Sequence, residues 1–588
     1  MATRGFRTFF TVLGVMFFLG IGGLVVLVIL VGRAPAVPED AVLVLRVGGD
    51  LSEVAPADIV GYLRGARTPT VRTVVDSLRK AKVDTRIRAV LLKPTGFQSP
   101  FWGKVQEIRD AVLDFKKSGK PIHAYLEYGG EREYYLATAA DRITLMPSSS
   151  LDLTGVATYE LFLRGTLDRI GAVADLHHVG AYKTAPNMFT EKGYTATHKE
   201  MDESLTRDLY EQIVVGVAGG RRKTEADVRA HIDQGPLLPE AALRAGLVDD
   251  VQYEDQANAR LSVSDERQRI DGDVYARVTA ASLGLNRGPR IALIYAVGTI
   301  NSGRNGYDPV NGTIAGADTL VSYIRQVRRD PSVRAIVLRI DSPGGSATAS
   351  DAVWRELMIA RNERADRPMV ASMSDLAASG GYYIALPAQT IVAQPSTLTG
   401  SIGVFGGKIV TGGVYEKLGA RIESTSIGKQ AELDSPARPF TPAEVKKLDE
   451  QLQAFYDQFV KKVADSRHTT PARIDALAQG RVWTGRQAKD NGLIDALGGL
   501  DQAIALAKER AKIPAESDVE VVVYPPRKNF YELLTEELSG SGESAAVGAW
   551  LSANLSKEEI EVLRVVRGPL TMFRRGELLA LMPFTFLR

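Results

Sequence analysis

The stretch Pro395–Val404 reads P-S-T-L-T-G-S-I-G-V and places Ser401 between Gly400 and Ile402-Gly403. Glycines on both sides of a serine allow a sharp backbone turn and leave the hydroxyl uncovered, as a nucleophile requires. A single G-S-x-G is nevertheless more often an ordinary tight turn than a nucleophile. What this stretch means therefore depends on the rest of the chain.

Two glycine pairs lie upstream of this stretch. Gly344-Gly345 stands in R-I-D-S-P-G-G-S, directly after the apolar run Ala335–Ile340, and Gly380-Gly381 stands in A-A-S-G-G-Y-Y-I-A. A Gly-Gly pair between a buried strand and a helix offers unblocked backbone N–H groups, which are the material of an oxyanion hole.

The chain is internally duplicated. With a shift of 248 positions, residues 134–183 align without a gap with residues 382–431. The aligned pairs include Tyr134-Tyr135 with Tyr382-Tyr383, Pro147-Ser148 with Pro395-Ser396, and Gly155-Val156 with Gly403-Val404. Strand-like apolar runs also recur in each half, at Ala41–Val47 and Arg88–Leu92 and again at Ile291–Val297 and Arg334–Leu338. The duplication predicts two tandem α/β units of one kind.

The two copies differ at positions that bear chemistry. Leu153 lies opposite Ser401, whereas Lys183 lies opposite Ala431. The later half therefore supplies a serine and the earlier half a lysine, each where the other copy has an apolar side chain.

A nucleophilic serine needs a base to remove its proton. His468 is the histidine of the later half, and its polar surroundings S-R-H-T-T-P are typical of a solvated loop. A lysine can serve instead if its pKa falls from about 10.4 toward about 8, at a cost of roughly 3 kcal/mol that burial can supply. Lys183 follows the strand-like run Ala172–Val179 and is the candidate base.

Motifs in both halves together resemble the signal peptide peptidase A family, also called protease IV, in its long duplicated form. They are S-P-G-G-S at 342–346, A-S-G-G-Y-Y at 378–383, T-L-T-G-S-I-G-V-F-G at 397–406, G-x-Y-K at 180–183 and G-R-V-W-T-G-R-Q-A at 480–488. The resemblance implies tandem crotonase-like, Clp-protease-like α/β repeats and a dyad of Ser401 as nucleophile and Lys183 as general base. It also implies a membrane-anchored assembly, a tetramer, that degrades remnant signal peptides and other apolar peptides.

The implied reaction is acyl transfer to a serine. Lys183 takes the proton of Ser401, the alkoxide attacks the scissile carbonyl, and water then cleaves the acyl-enzyme. Backbone N–H groups near Gly344, Gly345 and Ile402 are the candidates for stabilising the oxyanion. This chemistry requires no cofactor, metal or nucleotide.

Other side chains compete for these roles. Ser379 in A-A-S-G-G is the rival nucleophile, because the reactive serine of the related Clp-type proteases occupies a comparable stretch of small residues. His177-His178 could supply a base or metal ligand, although neighbours on a strand point to opposite faces. Asp341 could be an acid, but a residue that ends a strand before S-P-G-G is more simply a turn former. Ser424 and Ser426, on a strand-like stretch, could hold the lysine amine or be merely structural.

Two other classes of protein are alternatives to a peptidase. Glycine pairs of this kind would suit an acyl-CoA enzyme of crotonase type, which stabilises a thioester enolate. A catalytically silent membrane scaffold is the other. Neither class accounts for a serine and a lysine at complementary positions of a duplicated chain.

Composition excludes several further classes. The 588 residues are 45% hydrophobic and 24% charged, as in ordinary globular proteins. A net charge of +2 gives no electrostatic basis for binding nucleic acid. The chain has no cysteine, which excludes disulfides and thiolate catalysis.

The N-terminus predicts a membrane anchor. Phe9–Val31 contains no charged residue and is long enough as a helix to cross a bilayer. Arg4 and Arg7 precede it, so the positive-inside rule places the N-terminus in the cytoplasm and the bulk of the chain outside, at a bacterial inner membrane.

Five regions are predicted along the chain. Residues 1–33 form a stub and anchor, 40–255 the lysine-bearing repeat, 256–289 a polar connection, 290–515 the serine-bearing repeat, and 516–588 a C-terminal extension. The apolar end of the extension, L-L-A-L-M-P-F-T-F-L at 578–587, is too short to span a membrane, and we expect it to dock on a neighbouring subunit or the bilayer surface.

Overall fold

The computed structural model of the chain describes residues 35–54, 69–261, 268–308, 312–526, 577–583 and 586–587. The predicted anchor Phe9–Val31 lies outside these residues. Among the helices that are described, none combines the length and apolarity that a bilayer crossing needs.

The first half alternates strands and helices. Its strands are β1 (Ala41–Gly49), β2 (Ile87–Phe97), β3 (Ile122–Leu126), β4 (Arg142–Leu145), β5 (Thr158–Tyr159), β6 (Val173–Val179), β7 (Asp250–Val251) and β8 (Arg269–Asp271). Its helices are α1 (Val71–Val83), α2 (Gly103–Lys116), α3 (Glu131–Ala137), α4 (Arg164–Ile170), α5 (Asn187–Thr190), α6 (Ala196–Arg221), α7 (Glu225–Ile232), α8 (Pro239–Arg244), α9 (Glu254–Arg260) and α10 (Gly272–Tyr275).

The second half follows the same alternation. Its strands are β9 (Arg290–Val297), β10 (Thr299–Asn301), β11 (Gly306–Asp308), β12 (Gly312–Gly316), β13 (Val333–Ser342), β14 (Gly344–Ser346), β15 (Met369–Ala378), β16 (Thr390–Ala393), β17 (Leu398–Gly400), β18 (Val404–Val410), β19 (Val482–Thr484), β20 (Ala496–Leu497), β21 (Glu520–Tyr524), β22 (Leu579–Leu581) and β23 (Phe586–Leu587). Its helices are α11 (Ala317–Arg329), α12 (Ala347–Glu363), α13 (Gly380–Ala385), α14 (Gly412–Lys417), α15 (Pro442–Ser466), α16 (Pro471–Leu477), α17 (Gly485–Asp490) and α18 (Leu500–Arg510).

Two sheets repeat one strand order. The first sheet runs β7-β4-β3-β2-β1-β8, and the matching strands of the second run β20-β16-β15-β13-β9-β21, with parallel pairing throughout. The central strands are near-continuous runs of buried apolar residues, because helices cover both faces of a parallel sheet. The predicted duplication is thus visible in the topology.

The two repeats also share an equivalent buried hydrogen bond. The Tyr134 hydroxyl donates to the carbonyl of Leu247 at 2.8 Å, and the Tyr382 hydroxyl donates to the carbonyl of Leu493 at 2.7 Å. Both tyrosines are fully buried, so this bond satisfies a polar group that would otherwise be costly to bury.

The segment 256–289 is not the simple connection that its polarity predicts. Strand β8 pairs in parallel with β1 and extends the first sheet, and Tyr275 and Val278 pack into the first core. The sequence did not indicate these contacts, because the apolar residues lie in short elements, where no helical or strand period can emerge. The boundaries 256–289 stay a prediction.

A third, mixed sheet joins the two halves. Its order is β11-β12-β10-β14-β22-β18-β6, so a strand of the first half, β6, lies beside β18 of the second. The two are antiparallel and pair from Val173 with Val410 to Val179 with Val404. Strand β22, from the C-terminal extension, lies between β14 and β18 and is antiparallel to both.

A buried cluster of charges also links the halves. Arg339 on β13 is 0% exposed and donates to Glu53 at 2.7 Å and to Glu107 of α2 at 2.7 Å. Lys104, also on α2, pairs with Asp341 at 2.7 Å. These ion pairs fix helix α2 of the first half against the carboxyl ends of the second sheet, directly beneath the site described next.

Candidate active site

The pairing of β6 with β18 brings the predicted lysine to the predicted serine. Val179 faces Val404 in the register, Lys183 follows Val179 by four residues, and Ser401 precedes Val404 by three. Antiparallel strands carry the end of one beside the start of the other, so the two side chains meet.

Lys183 lies within hydrogen-bond distance of two serine hydroxyls. Its Nζ is 3.0 Å from Oγ of Ser401, 3.1 Å from the carbonyl oxygen of Ser401 and 2.9 Å from Oγ of Ser379. All three residues are 0% exposed. The predicted nucleophile and its rival therefore contact the same amine.

The surroundings of Lys183 favour its neutral form. Burial lowers the pKa of Lys183 well below its ordinary value, and no charged partner opposes this among the described residues. A neutral amine has two N–H groups and one lone pair. Because the Ser401 carbonyl can only accept, one N–H is committed to it, and the second N–H and the lone pair face the two hydroxyls.

Ser379 lies in a buried turn at a strand-to-helix junction. It follows β15 and precedes α13, with φ 54° and ψ −112°, a conformation that is strained for a residue other than glycine. Its hydroxyl makes no capping bond to α13. Hydrogen bonding of its N–H to the carbonyl of Gly400, at 2.7 Å, ties this turn to the Ser401 stretch.

One glycine of each pair, Gly344 and Gly380, lies close to the same carbonyl oxygen. Gly345 of β14 pairs with Ala580 of β22. A Cβ on Gly344 would stand 2.1 Å from the carbonyl oxygen of Ala580, and a Cβ on Gly380 would stand 3.2 Å from the same oxygen. Only glycine permits this approach, and it places a peptide carbonyl against the backbone next to Ser379. Ile402, the third predicted oxyanion residue, accepts a bond from the N–H of Gly480 and packs in the core.

The strand that supplies this carbonyl, β22, belongs to the C-terminal extension. Strand β22 adds to β14 through bonds from the N–H of Met582 to the carbonyl of Pro343, at 2.9 Å, and from the N–H of Ala347 to the carbonyl of Leu578, at 3.0 Å. The prediction that this segment docks on a neighbouring subunit or the bilayer was wrong for Leu579–Leu581. Three residues are too few to show a strand period in the sequence.

Apolar side chains hold this strand in place. Leu579 and Leu581 pack with Ala185 and Phe405, and all four are buried. Met582 packs in a second cluster whose buried members include Met201, Leu205, Leu209, Ala378, Leu398 and Val482. An extended apolar segment therefore fits the groove beside the serines, which we call the β14–β18 slot.

Gly480 and Gly403 lie in close contact with Lys183, a role that their positions in the sequence did not indicate. A Cβ on Gly480 would stand 2.5 Å from the Cβ of Lys183, and a Cβ on Gly403 would stand 3.1 Å from its Cδ. Gly480 opens the motif G-R-V-W-T-G-R-Q-A, and this close contact explains its glycine. Spacing alone could not identify it, because 297 residues separate it from the lysine.

The auxiliary serines are not part of this site. Ser424 is exposed and donates to Glu432 at 2.6 Å, and Ser426 also interacts with Glu432. The stretch 421–427 forms no strand. Of the two alternatives for these serines, their contacts support the structural one, since the stretch lies at the surface while Lys183 is fully enclosed.

The remaining candidates have structural contacts. His178 is exposed and bonds the carbonyl of Gly180, and His177 is half-buried beside Asp175. Asp341 pairs with Lys104 and accepts a bond from the N–H of Leu376. These residues belong to sheet edges and to the charge cluster between the halves.

A buried lysine between two serines, beside glycines that lie against a peptide carbonyl, is an arrangement typical of serine hydrolases. The model of Peptidase family S49 matches residues 114–267 and 361–514, one copy in each half. The chain belongs to this family and is a serine peptidase. The acyl-CoA and silent-scaffold alternatives are therefore set aside.

Relatives extend over most of the chain. "Serine protease SPPA, chloroplastic" from Arabidopsis thaliana is 39% identical over 75% of this chain and 66% of its own length. "Protease 4" from Salmonella typhi is 35% identical over 75% of this chain and 72% of its own length. Among solved structures, a ClpP1 variant from Listeria monocytogenes matches 36% of this chain and 94% of its own, with 14% identity and a TM-score of 0.23.

Proposed function

We propose that the protein is an endopeptidase with a Ser/Lys dyad split between its two halves, and that Ser379, rather than Ser401, is the nucleophile. The observation that carries the proposal is the fully buried amine of Lys183, which lies 2.9 Å from Oγ of Ser379 and whose pKa is lowered by burial. Both serines have a positive φ, so backbone strain does not distinguish them. Ser379 is favoured by its position directly before Gly380, which with Gly344 lies against a peptide carbonyl.

In this mechanism Ser401 orients the base. Its carbonyl and Oγ accept the two N–H groups of Lys183, which directs the lone pair at the Ser379 hydroxyl. Lys183 takes that proton as Oγ of Ser379 attacks the peptide carbonyl. The N–H groups of Gly345 and Gly380 stabilise the oxyanion, and the protonated Lys183 gives its proton to the leaving amine as the C–N bond breaks. Lys183 then takes a proton from water, which attacks the ester, and returns that proton to Oγ of Ser379 as the ester bond breaks.

The substrate is an extended apolar peptide. It adds to β14 as an antiparallel strand, with its scissile carbonyl at the position that Ala580 occupies. The clusters that hold Leu579, Leu581 and Met582 accept its side chains. A relative from Enterococcus faecium, 32% identical over 35% of this chain, is named a putative signal peptide peptidase, and cleaved signal peptides have this apolar character.

The remaining features of the prediction form part of the same proposal. The segment Phe9–Val31 anchors the chain in the bacterial inner membrane, with the catalytic part outside the cytoplasm. The chain assembles as a homotetramer, as its resemblance to the signal peptide peptidase A family implies. The boundaries 40–255 and 290–515 stay predictions.

Separate substitutions of the two serines test the mechanism. Ser379→Ala should lower kcat for an apolar peptide by about 10⁴-fold or more, because no other group forms the acyl-enzyme. Ser401→Ala keeps the nucleophile and should lower kcat by about 10- to 100-fold, through a misdirected base. Mapping the ester formed by an activated peptide ester should place it on Ser379. An ester on Ser401, or activity retained in Ser379→Ala, would refute the assignment.

A further inference from the structure

A second group of functional side chains lies outside the catalytic site, between β5 and helix α6. His198, Asp202 and Thr206 recur every four residues along α6 and therefore share one face of the helix. The Oγ1 atoms of Thr158 and Thr206, 2.6 Å apart, hold β5 against this face. Glu160 directly follows β5, so its carboxylate reaches the same face one to two turns nearer the start of the helix.

The donor atoms of Glu160, His198 and Asp202 converge. One ligand atom from each lies within 4.8 Å of the other two, and Nε2 of His198 is 3.8 Å from Oδ2 of Asp202. Atoms that share a metal ion at about 2.0–2.2 Å lie roughly 3–4 Å apart. Small rotamer adjustments would therefore bring all three onto one ion.

The cluster is buried, and part of its hydrogen-bonding capacity is unused. His198 is 1% exposed, yet neither of its ring nitrogens hydrogen-bonds any residue that the structure describes. Asp202 is 5% exposed, and the Tyr194 hydroxyl is a hydrogen-bond partner beside its carboxylate. Buried polar groups normally have a partner, so a buried imidazole with neither nitrogen bonded, facing a buried carboxylate, indicates a missing ligand.

Aromatic side chains enclose the cluster. Phe162 and Tyr194 pack edge-on against the His198 ring and complete an apolar wall.

We propose that Glu160, His198 and Asp202 bind one divalent first-row transition ion, with Zn²⁺ as the expected occupant. One imidazole and two carboxylates are ligands that Zn²⁺ commonly takes, whereas Mg²⁺ and Ca²⁺ prefer oxygen ligands alone. The chain offers no thiolate, which excludes the soft sites that select Cu⁺. Three protein ligands leave a fourth position for water.

The ion has a structural role next to the active site. Thr197, in the first turn of α6, donates to the carbonyl of Ala181, two residues before Lys183. An ion between α6 and Glu160 would therefore clamp the segment that carries the general base. It takes no part in the peptide cleavage proposed above, and the test below measures metal binding, not activity.

Equilibrium dialysis of the full-length protein, first stripped with a chelator, tests the site. We expect one Zn²⁺ per chain with micromolar or tighter affinity, and a rise in Tm on adding Zn²⁺ but not Mg²⁺. His198→Gln and Asp202→Asn preserve side-chain volume and should weaken binding by about 100-fold or more. His231→Gln, a histidine on α7, is the matched control and should bind as the parent does.

Three outcomes would overturn the proposal. They are less than one Zn²⁺ per chain at saturation, unchanged binding in both His198→Gln and Asp202→Asn, or equal loss in His231→Gln. Because the metal-free Tm is measured for every variant, loss of binding through misfolding is recognised by a lowered metal-free Tm. In that case Glu160→Gln, at the half-buried edge of the cluster, decides the question by the same measurement.

Discussion

Replacing Leu581 with aspartate should release the C-terminal strand from the β14–β18 slot and make the enzyme bind peptides more tightly. Leu581 is 1% exposed and packs on Phe405 and Ala185, which line the slot. Since a substrate strand needs the same edge of β14, the docked end of the chain competes with it. The variant should therefore have a lower KM and an unchanged kcat.

The structure sets the size of this effect. Burying Leu579, Leu581 and Met582 contributes about 1.5–3 kcal/mol each, or about 5–9 kcal/mol in all. Ordering residues 577–583 costs about 1 kcal/mol or more per residue, so net docking is no stronger than about 2 kcal/mol. A buried unpaired carboxylate costs several kcal/mol and removes all of it. KM should therefore fall by up to about 30-fold.

Steady-state hydrolysis of an internally quenched apolar peptide measures this change. Leu238→Asp is the matched control, because Leu238 is 70% exposed and a charge there should leave KM unchanged. Hydrogen exchange at 579–581 reports whether the strand has been released. If exchange shows release in Leu581→Asp while KM stays at the parent value, the strand does not compete with substrate, and the reasoning fails.

Three further substitutions test the elements around the site. Lys183→Met should abolish activity and flatten the pH dependence of the unfolding free energy. In the unfolded chain the lysine binds a proton below a pH of about 10.4, whereas in the folded chain it does so only below its lowered pKa. The unfolding free energy of the parent therefore rises with pH between these two values, as denaturant titrations can measure. Arg339→Met leaves two buried glutamates unpaired and should cost about 3–5 kcal/mol of unfolding free energy, against less than about 1 kcal/mol for Arg46→Met at an exposed ion pair. Gly480→Ala should lower kcat at least tenfold, because the added methyl group collides with Lys183. Gly492→Ala is the control and should retain kcat, since Gly492 has a similar positive φ but open space around it. Equal losses of kcat in the two variants would show that backbone strain alone is responsible.

Much of the fold could be predicted because the sequence patterns that indicate strands occur twice, once in each copy. The runs Ala41–Val47 and Ile291–Val297 each predict an opening strand, and the structure has strands Ala41–Gly49 and Arg290–Val297 at these positions. Buried parallel strands are apolar along their whole length, which makes them conspicuous. The added edge strand at Arg269–Asp271 has no such run, because an edge strand is held by its backbone rather than by its side chains.

The site was harder to predict than the fold. The lysine was identified by comparing the copies, since a lysine opposite an alanine is a difference that a sequence can display. The choice between Ser379 and Ser401 depends on which glycines approach a carbonyl, and that property has no sequence signature. Likewise Arg339 and Glu53 are 286 residues apart, so their ion pair could not be expected from spacing.

The proposed division of the dyad between two repeats has a physical consequence for regulation. Lys183 reaches Ser379 only through the pairing of β6 with β18, and β22 pairs with β18 on its other side. The strand that fills the slot thus shares a hydrogen-bonded neighbour with the strand that positions the base. A peptide that displaces β22 must restore the same bonds to β14 to hold the sheet together. Extended segments long enough to replace the whole strand should therefore be cleaved faster than dipeptides with the same residues at the cut, as their kcat values would show.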